Sequence, residues 1–275
     1  MDFLKDLIWL LDLQMPTPQP FDIFHLLFFF YSVAIGVLLC VTHKKGDDAR
    51  VRRVVAITAI LVLLLEVYKQ FNYTFSWGEN GLNVEYQWYA FPWQFCSMPM
   101  YVGFLTLFFR RGRIHKSLCA FLATYAIFAG ICVMLAPTTV FIGTVGINVQ
   151  TMICHGSMIT VGIYLWYSDY VKAEHKTVLR AMPVFVIAVI VAMIINETAH
   201  ATGLLETETV NMFFISQYCD PSLPVYSIVQ ELVPYPWCLL IYVAAFTLAA
   251  YVITLIVMLI RSIAKRVKRN RIVKF

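Results

Sequence analysis

Charged residues are scarce in this sequence, and the scarcity excludes most classes of soluble protein. Only 13% of the residues are Asp, Glu, Lys or Arg, whereas soluble domains carry about one quarter. Apolar residues make up 60% of the chain and aromatic residues 15%. The apolar runs are about 18 to 26 residues long, enough to cross the roughly 30 Å hydrocarbon core of a bilayer. The composition therefore predicts an all-α, polytopic membrane protein of the cell membrane.

Several familiar signals are also missing. The chain has no His-x3-His or Cys-x2-Cys spacing, the usual mark of a zinc site, so we expect neither metal nor cofactor. The basic residues near the carboxyl terminus are not interleaved with aromatic residues, so nucleic acid is not an expected partner. The start of the chain is net acidic and runs into Pro16, Pro18 and Pro20, unlike a signal peptide.

The apolar runs predict a seven-helix transmembrane bundle between residues 21 and 261. Residues 1–20 have the pattern of an amphipathic interfacial helix followed by a proline-rich linker, and residues 262–275 form a basic tail. The predicted spans are 21–41, 54–73, 89–109, 117–136, 150–168, 181–199 and 236–261. Two apolar patches in the long loop 200–235, at 210–215 and 224–229, predict short helices there.

The basic residues predict the orientation of this bundle. Of the 21 Lys and Arg residues, all but Lys5 and Lys69 fall in alternate loops and in the tail. The positive-inside rule then places the amino terminus outside and the carboxyl terminus in the cytoplasm. The tail is expected to contact anionic lipid, because its charge lies directly beside the last span.

Polar side chains recur at one depth, in the outer third of four predicted spans. Ionisable groups within a span cost about 2.5 to 3.5 kcal/mol each near its middle, so a group of them needs a shared interior. We therefore expect an outward-opening polar pocket. The alternative is ordinary packing, in which each residue pairs with its own or a neighbouring helix. The candidate residues are Glu66, Lys69, Gln70, Gln94, Cys96, His155, Ser157, Asn196, Glu197 and His200, with Asn211 in the following loop.

Cysteine and histidine together form the minimal nucleophile and base for acyl transfer. In this hypothesis the thiol of Cys96 attacks an acyl carbonyl and His155 moves the proton. Glu66 or Glu197 orients the imidazole, and Gln94, Asn196 or Ser157 donates to the oxyanion. A metal site built from the same His, Glu and Cys residues and a disulfide between Cys219 and Cys238 are weaker alternatives.

Four short motifs carry a resemblance to a known family. They are Pro92-x-Gln94-Phe95-Cys96, His155-Gly156-Ser157, Asn196 and Asn211-Met212-Phe213-Phe214. In this order they resemble the YwaF-like family of bacterial membrane proteins, which looks related to an animal cysteine-dependent transmembrane acyltransferase of ether phospholipids. The resemblance implies Cys96 as the acyl-accepting nucleophile and His155 as its acid-base partner. The chain departs from the family pattern at Gln94, where the family has histidine.

The leading hypothesis is therefore a membrane-embedded lipid acyltransferase or acyl-ester hydrolase that acts from the outer leaflet. Membrane lipids are the expected partners. The alternative is a non-enzymatic carrier or receptor that binds a lipid or small solute in the same pocket. The apolar inner halves of the spans, such as Ala59 to Leu65, argue against a polar route across the whole bilayer.

Overall fold

The computed structural model describes residues 2–220 and 223–272, of which most lie in α-helices. Helix accounts for 73% of the structure and strand for 4%. The helices are α1 (Asp2–Leu11), α2 (Ile23–Val41), α3 (Asp48–Asn72), α4 (Met98–Phe108), α5 (Gly112–Phe121), α6 (Ile127–Leu135), α7 (Val145–Tyr167), α8 (Lys176–Ala201), α9 (Pro224–Leu232) and α10 (Trp237–Ile272), with strands β1 (Phe75–Gly78) and β2 (Gly81–Val84).

Five helical segments are long and apolar enough to cross a membrane, as judged by length and composition in the described part of the chain. They are Ile23–Val41, Asp48–Asn72, Gly112–Leu135, Lys176–Ala201 and Trp237–Asn270. The third of these joins α5 and α6 through a π-helical segment, Leu122–Ala126. The chain is thus a mostly helical membrane protein. Helix α7 is also long; it carries several buried polar residues and packs against α2, α3 and α6.

The predicted third span, 89–109, is wrong as a continuous helix. Residues Trp88–Ala90 and Phe95–Ser97 form separate 3-10 turns, and regular α-helix begins only at Met98. Pro92 lacks a backbone N–H and disfavours helix in the residue before it, which separates the two turns. Pro99, by contrast, lies in the first turn of α4, where a missing N–H is harmless.

A β-hairpin, absent from the all-α prediction, follows α3. Strands β1 and β2 pair antiparallel from Phe75 opposite Val84 to Gly78 opposite Gly81. Gly81 has φ of 103°, a conformation that favours glycine. We call the end of the bundle that carries this hairpin the hairpin face. The connections 136–144 and 202–220 lie at the same end, because α6 and α8 run towards that end of the bundle.

The amino-terminal segment is fastened to the hairpin face. The Tyr68 hydroxyl donates to the carbonyl of Leu11 at 2.6 Å, and the backbone N–H of Met15 donates to the carbonyl of Gly143 at 2.7 Å. Ile8 is buried, while Trp9 and Phe3 on other faces of α1 are exposed. Helix α1 therefore has one side docked on the protein and exposed apolar residues on other sides, and its interfacial position stays a prediction.

The long loop before α10 contains a 3-10 turn at Met212–Phe214 and helix α9. Both coincide with the apolar patches that predicted short helices. At the other end of the bundle, α10 continues as an exposed helix beyond Arg261, whose guanidinium donates to Asp169 at 2.6 Å. The basic tail, 262–275, is thus a helical extension of the last span as far as Ile272, and the final three residues lie outside the described part.

Glycine allows α7 to approach its neighbours closely. A Cβ added at Gly156 would lie 2.0 Å from the Ser32 hydroxyl oxygen on α2, and one at Gly162 would lie 2.0 Å from Ile127 on α6. Membrane helices pack through such small residues, because close backbone approach is a main source of attraction between them. The glycine of the His155-Gly156-Ser157 motif therefore serves helix packing.

The substitution Gly156→Ala tests this packing. We expect it to lower stability by about 1 to 3 kcal/mol, the usual cost of forcing an extra methyl group into a close contact. The matched control is Gly36→Ala, because a Cβ at Gly36 meets no atom within 4 Å. Thermal unfolding of both purified variants in detergent measures the difference. Equal midpoints would show that the α2–α7 crossing tolerates a methyl group.

Candidate functional site

The break in the third apolar segment determines where Cys96 lies. Gln94 has an extended backbone, with φ of −80° and ψ of 162°, and Cys96 sits in the 3-10 turn that follows it. The turn is anchored by the carbonyl of Pro92, which accepts a hydrogen bond from the Tyr101 hydroxyl at 2.7 Å. Cys96 is partly exposed, whereas its neighbour Ser97 is completely buried. The two side chains therefore point in different directions, the first into a cavity and the second against α3.

Ser97 contacts a buried carboxylate on α3. Its hydroxyl donates to Glu66 at 3.1 Å, and the other oxygen of Glu66 accepts from Lys69 at 2.7 Å and from Gln70 at 2.8 Å. Glu66 is only 4% exposed. A carboxylate at this depth is stable only when its oxygens are hydrogen-bonded and its charge is paired, and both conditions are met here.

Gln70 extends this network to the loop before the broken segment. Its amide nitrogen also donates to the carbonyl of Ala90 at 2.8 Å, and its amide oxygen accepts from the Tyr86 hydroxyl at 2.6 Å. Burial, followed by the negative charge of Glu66, raises the pKa of Tyr86 to about 12, so this phenol remains a donor throughout the physiological range. The network thus joins α3, loop 85–87 and the Cys96 turn.

A cavity of about 750 Å³ opens beside this network on the hairpin face. Its volume lies within the range of small-molecule and cofactor pockets. Cys96 and His155 both line it, as do Lys69, Gln94 and Asn211. The remaining lining residues are Tyr89, Ala90, Phe95, Ala129, Val133, Thr139, Val140, Leu205, Glu208, Thr209, Phe214, Tyr218, Cys219 and Asp220.

A hydrogen bond within its own helix sets the tautomer of His155. Its Nδ1 lies 2.8 Å from the backbone carbonyl of Thr151, which can only accept, so Nδ1 carries the hydrogen in the neutral ring. Nε2 then holds the lone pair, and it has no hydrogen-bond partner among residues 2–220 and 223–272. The side chain is 7% exposed, and that small opening faces the cavity. In this tautomer, Nε2 is the ring atom that can accept a proton.

Lys69 lines the same cavity as Cys96 and His155. Its ammonium remains charged and forms an ion pair with one oxygen of Glu66 at 2.7 Å. Lys69 can therefore offer a positive charge to an anionic group or a developing oxyanion in the cavity.

Gln94 and Asn196 hold the loop that closes one side of the cavity. The Gln94 amide donates to the carbonyl of Asn211 at 3.1 Å and accepts from the N–H of Phe213 at 3.2 Å. The Asn196 amide makes the same pair of bonds with Met212, at 3.1 and 2.7 Å. Phe213 and Phe214 have φ of 58° and 56°, a costly conformation for bulky residues. Two side-chain amides thus compensate a strained aromatic turn.

Six of the eleven predicted site residues do not line the cavity: Glu66, Gln70 and Asn196, whose contacts are described above, and Ser157, Glu197 and His200. The Ser157 hydroxyl donates to the carbonyl of Cys154 at 2.7 Å and faces a separate small pocket beside Thr58 and Pro99. Glu197 accepts from the Tyr218 hydroxyl at 2.8 Å, and His200 stacks on the same ring, with centroids 3.7 Å apart. His200 is exposed, so His155 is the histidine among these candidates that faces the thiol side of the cavity.

Neither of the alternatives based on cysteine or metal ions is supported. All seven cysteines are free thiols; Cys238 accepts from the Tyr226 hydroxyl and Cys219 lines the cavity, so the disulfide considered between these two is absent. In the described part of the chain no group of three His, Cys, Asp or Glu residues is arranged to hold a metal ion.

The comparison with protein families gives one clear result. A family model described as the TMEM164 family matches residues 17–258, nearly the whole chain. The chain belongs to the TMEM164 family. Membership agrees with the membrane character of the five apolar segments. No curated protein and no solved structure matches the chain. The YwaF-like relationship and the link to an acyltransferase are not tested by the TMEM164 match and stay predictions.

A double-mutant cycle tests whether Glu66 and Lys69 form the electrostatic base of the site in this TMEM164 family member. Either single substitution, Glu66→Ala or Lys69→Ala, leaves one charge buried without its partner, and we expect a loss of about 3 to 5 kcal/mol. The double variant should lose less than the sum, because no charge is then left unpaired. Denaturation in mixed micelles measures all four proteins. Simple additivity would show that the pair is not coupled.

Proposed function

We propose that this protein is a membrane-embedded lipid acyltransferase or acyl-ester hydrolase that works through Cys96 and His155. The observation that carries the proposal is that Cys96, a partly exposed residue, and His155, whose Nδ1 is engaged with the Thr151 carbonyl, line one cavity. A nucleophile and a base facing the same space are the minimum for covalent acyl transfer. The family resemblance in the short motifs assigns the same two residues to the same roles.

The chemistry follows from the two groups. Nε2 of His155 takes the proton from the sulfur of Cys96, which attacks the ester carbonyl of a lipid. The ester C–O bond breaks, the imidazolium returns its proton to the departing alcohol oxygen, and a thioester remains on Cys96. Nε2 then takes a proton from an acceptor hydroxyl, or from water in hydrolysis. That oxygen attacks the thioester, and the proton passes to the departing sulfur.

Lys69 and Gln94 have different tasks in this proposal. Lys69 stabilises the negative charge that develops on the carbonyl oxygen, because its ammonium lines the cavity. Gln94, in the place where the resembled family has histidine, uses both ends of its amide on the backbone of residues 211–213. It acts as a structural clasp, and His155 alone serves as the base.

The proposed topology has seven membrane segments with the amino terminus outside. Helix α7 and the short apolar helix that includes Phe95–Phe108 would be added to the five apolar helices. The support is the distribution of Lys and Arg, almost all of which lie at the end of the bundle opposite the hairpin face. The hairpin face is then external, and the cavity opens to the outer leaflet. The basic extension after Arg261 would lie against anionic lipid of the inner leaflet.

A carrier or receptor is the second candidate function. It is favoured by the size of the cavity, about 750 Å³, which exceeds what a single ester group needs. A carrier would bind its solute or lipid without forming a covalent bond. It would show a ligand-dependent thermal shift that is sensitive to Lys69→Ala and insensitive to Cys96→Ala.

Labelling with a short-chain acyl thioester that carries an alkyne tests the enzyme proposal. The wild-type protein should exchange its Cys96 proton for the acyl group and become labelled, and hydroxylamine at neutral pH should remove the label. Cys96→Ala should abolish labelling. His155→Ala should slow it by about 100-fold, within the usual contribution of a general base. In-gel fluorescence after coupling a dye to the alkyne gives the rate.

Two variants serve as matched controls for this labelling. Cys219→Ala removes another thiol that lines the same cavity, and His200→Ala removes an exposed histidine that lies outside it. Both should label at the wild-type rate. Undiminished labelling of Cys96→Ala would remove Cys96 as the nucleophile.

A further inference from the structure

His25 is the most deeply buried histidine in the chain, and the proposed chemistry does not use it. It lies in the first turn of α2 and is only 1% exposed. Its Nδ1 accepts a hydrogen bond from the backbone N–H of Phe21 at 2.8 Å, and its Nε2 lies 3.0 Å from the carbonyl oxygen of Met134 at the end of α6. One ring therefore joins the linker before α2 to the carboxyl end of α6.

The two partners fix the tautomer and the charge of this ring. A backbone N–H can only donate, so Nδ1 must present its lone pair to Phe21. A carbonyl can only accept, so Nε2 must carry the hydrogen that reaches Met134. Both hydrogen bonds therefore exist only in the neutral ring. A second proton on Nδ1 would place one donor against another and would put a charge in a buried position.

The surroundings of the ring offer little compensation for such a charge. Met134 and Phe141 belong to an apolar cluster that α7 completes. The rings of Phe141 and His25 have centroids 5.8 Å apart. The charged group next to the ring along the chain is Asp22, whose two carboxylate oxygens already accept hydrogen bonds from backbone N–H groups. No ion pair includes the His25 ring in the part of the chain that the structure describes.

The hydrogen bond at Nδ1 also holds a strained residue. Phe21 has φ of 66°, a left-handed conformation that is costly for a bulky side chain. Its side chain is 60% exposed, so packing contributes little to keeping it in this conformation. The bond to His25 is therefore one of the contacts that compensate the strain, and the linker should relax when that bond is lost.

The contact between His25 and α6 lies behind one wall of the polar cavity. Val133, the residue before Met134, lines this cavity, as do Thr139 and Val140 in the connection that follows α6. Loss of the hydrogen bond at Met134 therefore loosens a stretch of chain that forms part of the wall.

We propose that His25 forms an acid-sensitive joint, at which protonation of the ring loosens α2 and the amino-terminal linker from the end of α6. The joint is closed at neutral pH, when the neutral ring makes both hydrogen bonds. It opens as the pH falls through about pH 6.5, where a solvent-exposed imidazole gains its proton, because opening lets the protonated ring reach water. This response does not depend on whether the cavity catalyses acyl transfer.

Hydrogen–deuterium exchange of the full chain in nanodiscs measures the joint. The extra proton binds the open state, so the ratio of open to closed protein should rise with acidity. We expect a rise of about 30-fold between pH 7.5 and pH 5.0, for an exposed ring that is half protonated at about pH 6.5. The readouts are exchange at the Phe21 N–H and in peptides covering 132–142, corrected for the intrinsic effect of pH. Exchange that stays independent of pH at both places would overturn the proposal.

Two variants identify the ring that responds to acid. His25→Asn keeps an acceptor atom bonded to Cγ, where it can meet the N–H of Phe21, but it does not titrate. Its corrected exchange should be the same at pH 7.5 and pH 5.0. The matched control is His200→Asn, which removes an exposed histidine and should keep the wild-type response. A pH response that survives in His25→Asn would overturn the proposal.

An NMR measurement tests the closed joint in the wild-type protein, without any variant. Labelling with ¹³C at the proline carbonyl and ¹⁵N at phenylalanine and histidine selects the amide of Phe21, because Pro20-Phe21 is the only Pro-Phe pair in the sequence. We expect a coupling across the N–H···N hydrogen bond from this amide to a neutral imidazole nitrogen at pH 7.5, and its loss at pH 5.0. A Phe21 amide that is coupled to no imidazole at pH 7.5, or that stays coupled at pH 5.0, would contradict the joint.

Discussion

The carboxylate of Glu66 is the constraint on which the site depends. A charge buried at this depth in a membrane protein must be paired and hydrogen-bonded, and its three donors come from two different parts of the chain. Lys69 and Gln70 belong to the same helix, but Ser97 belongs to the broken segment. Satisfying Glu66 therefore brings the Cys96 turn against α3. Cys96 is held in place because the next residue, Ser97, donates a hydrogen bond to the Glu66 carboxylate.

Composition and the depth of polar residues predicted much of this arrangement. They indicated a helical membrane protein, and Lys69, Gln94, Cys96 and His155, which they grouped at one depth, line one cavity in the structure. Other residues of that group, such as Ser157 and Glu197, do not line it, because depth says nothing about direction around a helix. Ser157 follows His155 by two residues, which turns it about 200° away on an α-helix. The sequence Gly78-Glu79-Asn80-Gly81, between two short alternating runs, is a hairpin signal that hydropathy alone does not detect.

The amides of Gln94 and Asn196 show a second limit of prediction from residue type. Both are polar groups within apolar segments, and both satisfy backbone atoms of the strained turn at Phe213 and Phe214. Their side chains leave few atoms free for a substrate. The strained turn places Phe214 in the wall between the polar cavity and an adjoining apolar groove of about 470 Å³. A polar residue in a membrane helix can thus shape a site without touching what binds there.

The spacing of Glu66 and Lys69 has a consequence for biosynthesis. The two residues lie one helical turn apart on α3, so their charges can meet as soon as this helix leaves the translocon, before any later segment exists. The opposite charges of this pair offset each other within the apolar part of the helix, while the second oxygen of Glu66 takes its hydrogen bond from Ser97 in a later segment. The proline-broken segment then supplies the Ser97 hydroxyl to that oxygen. The same contact that stabilises the Glu66 carboxylate in the bilayer therefore also places Cys96.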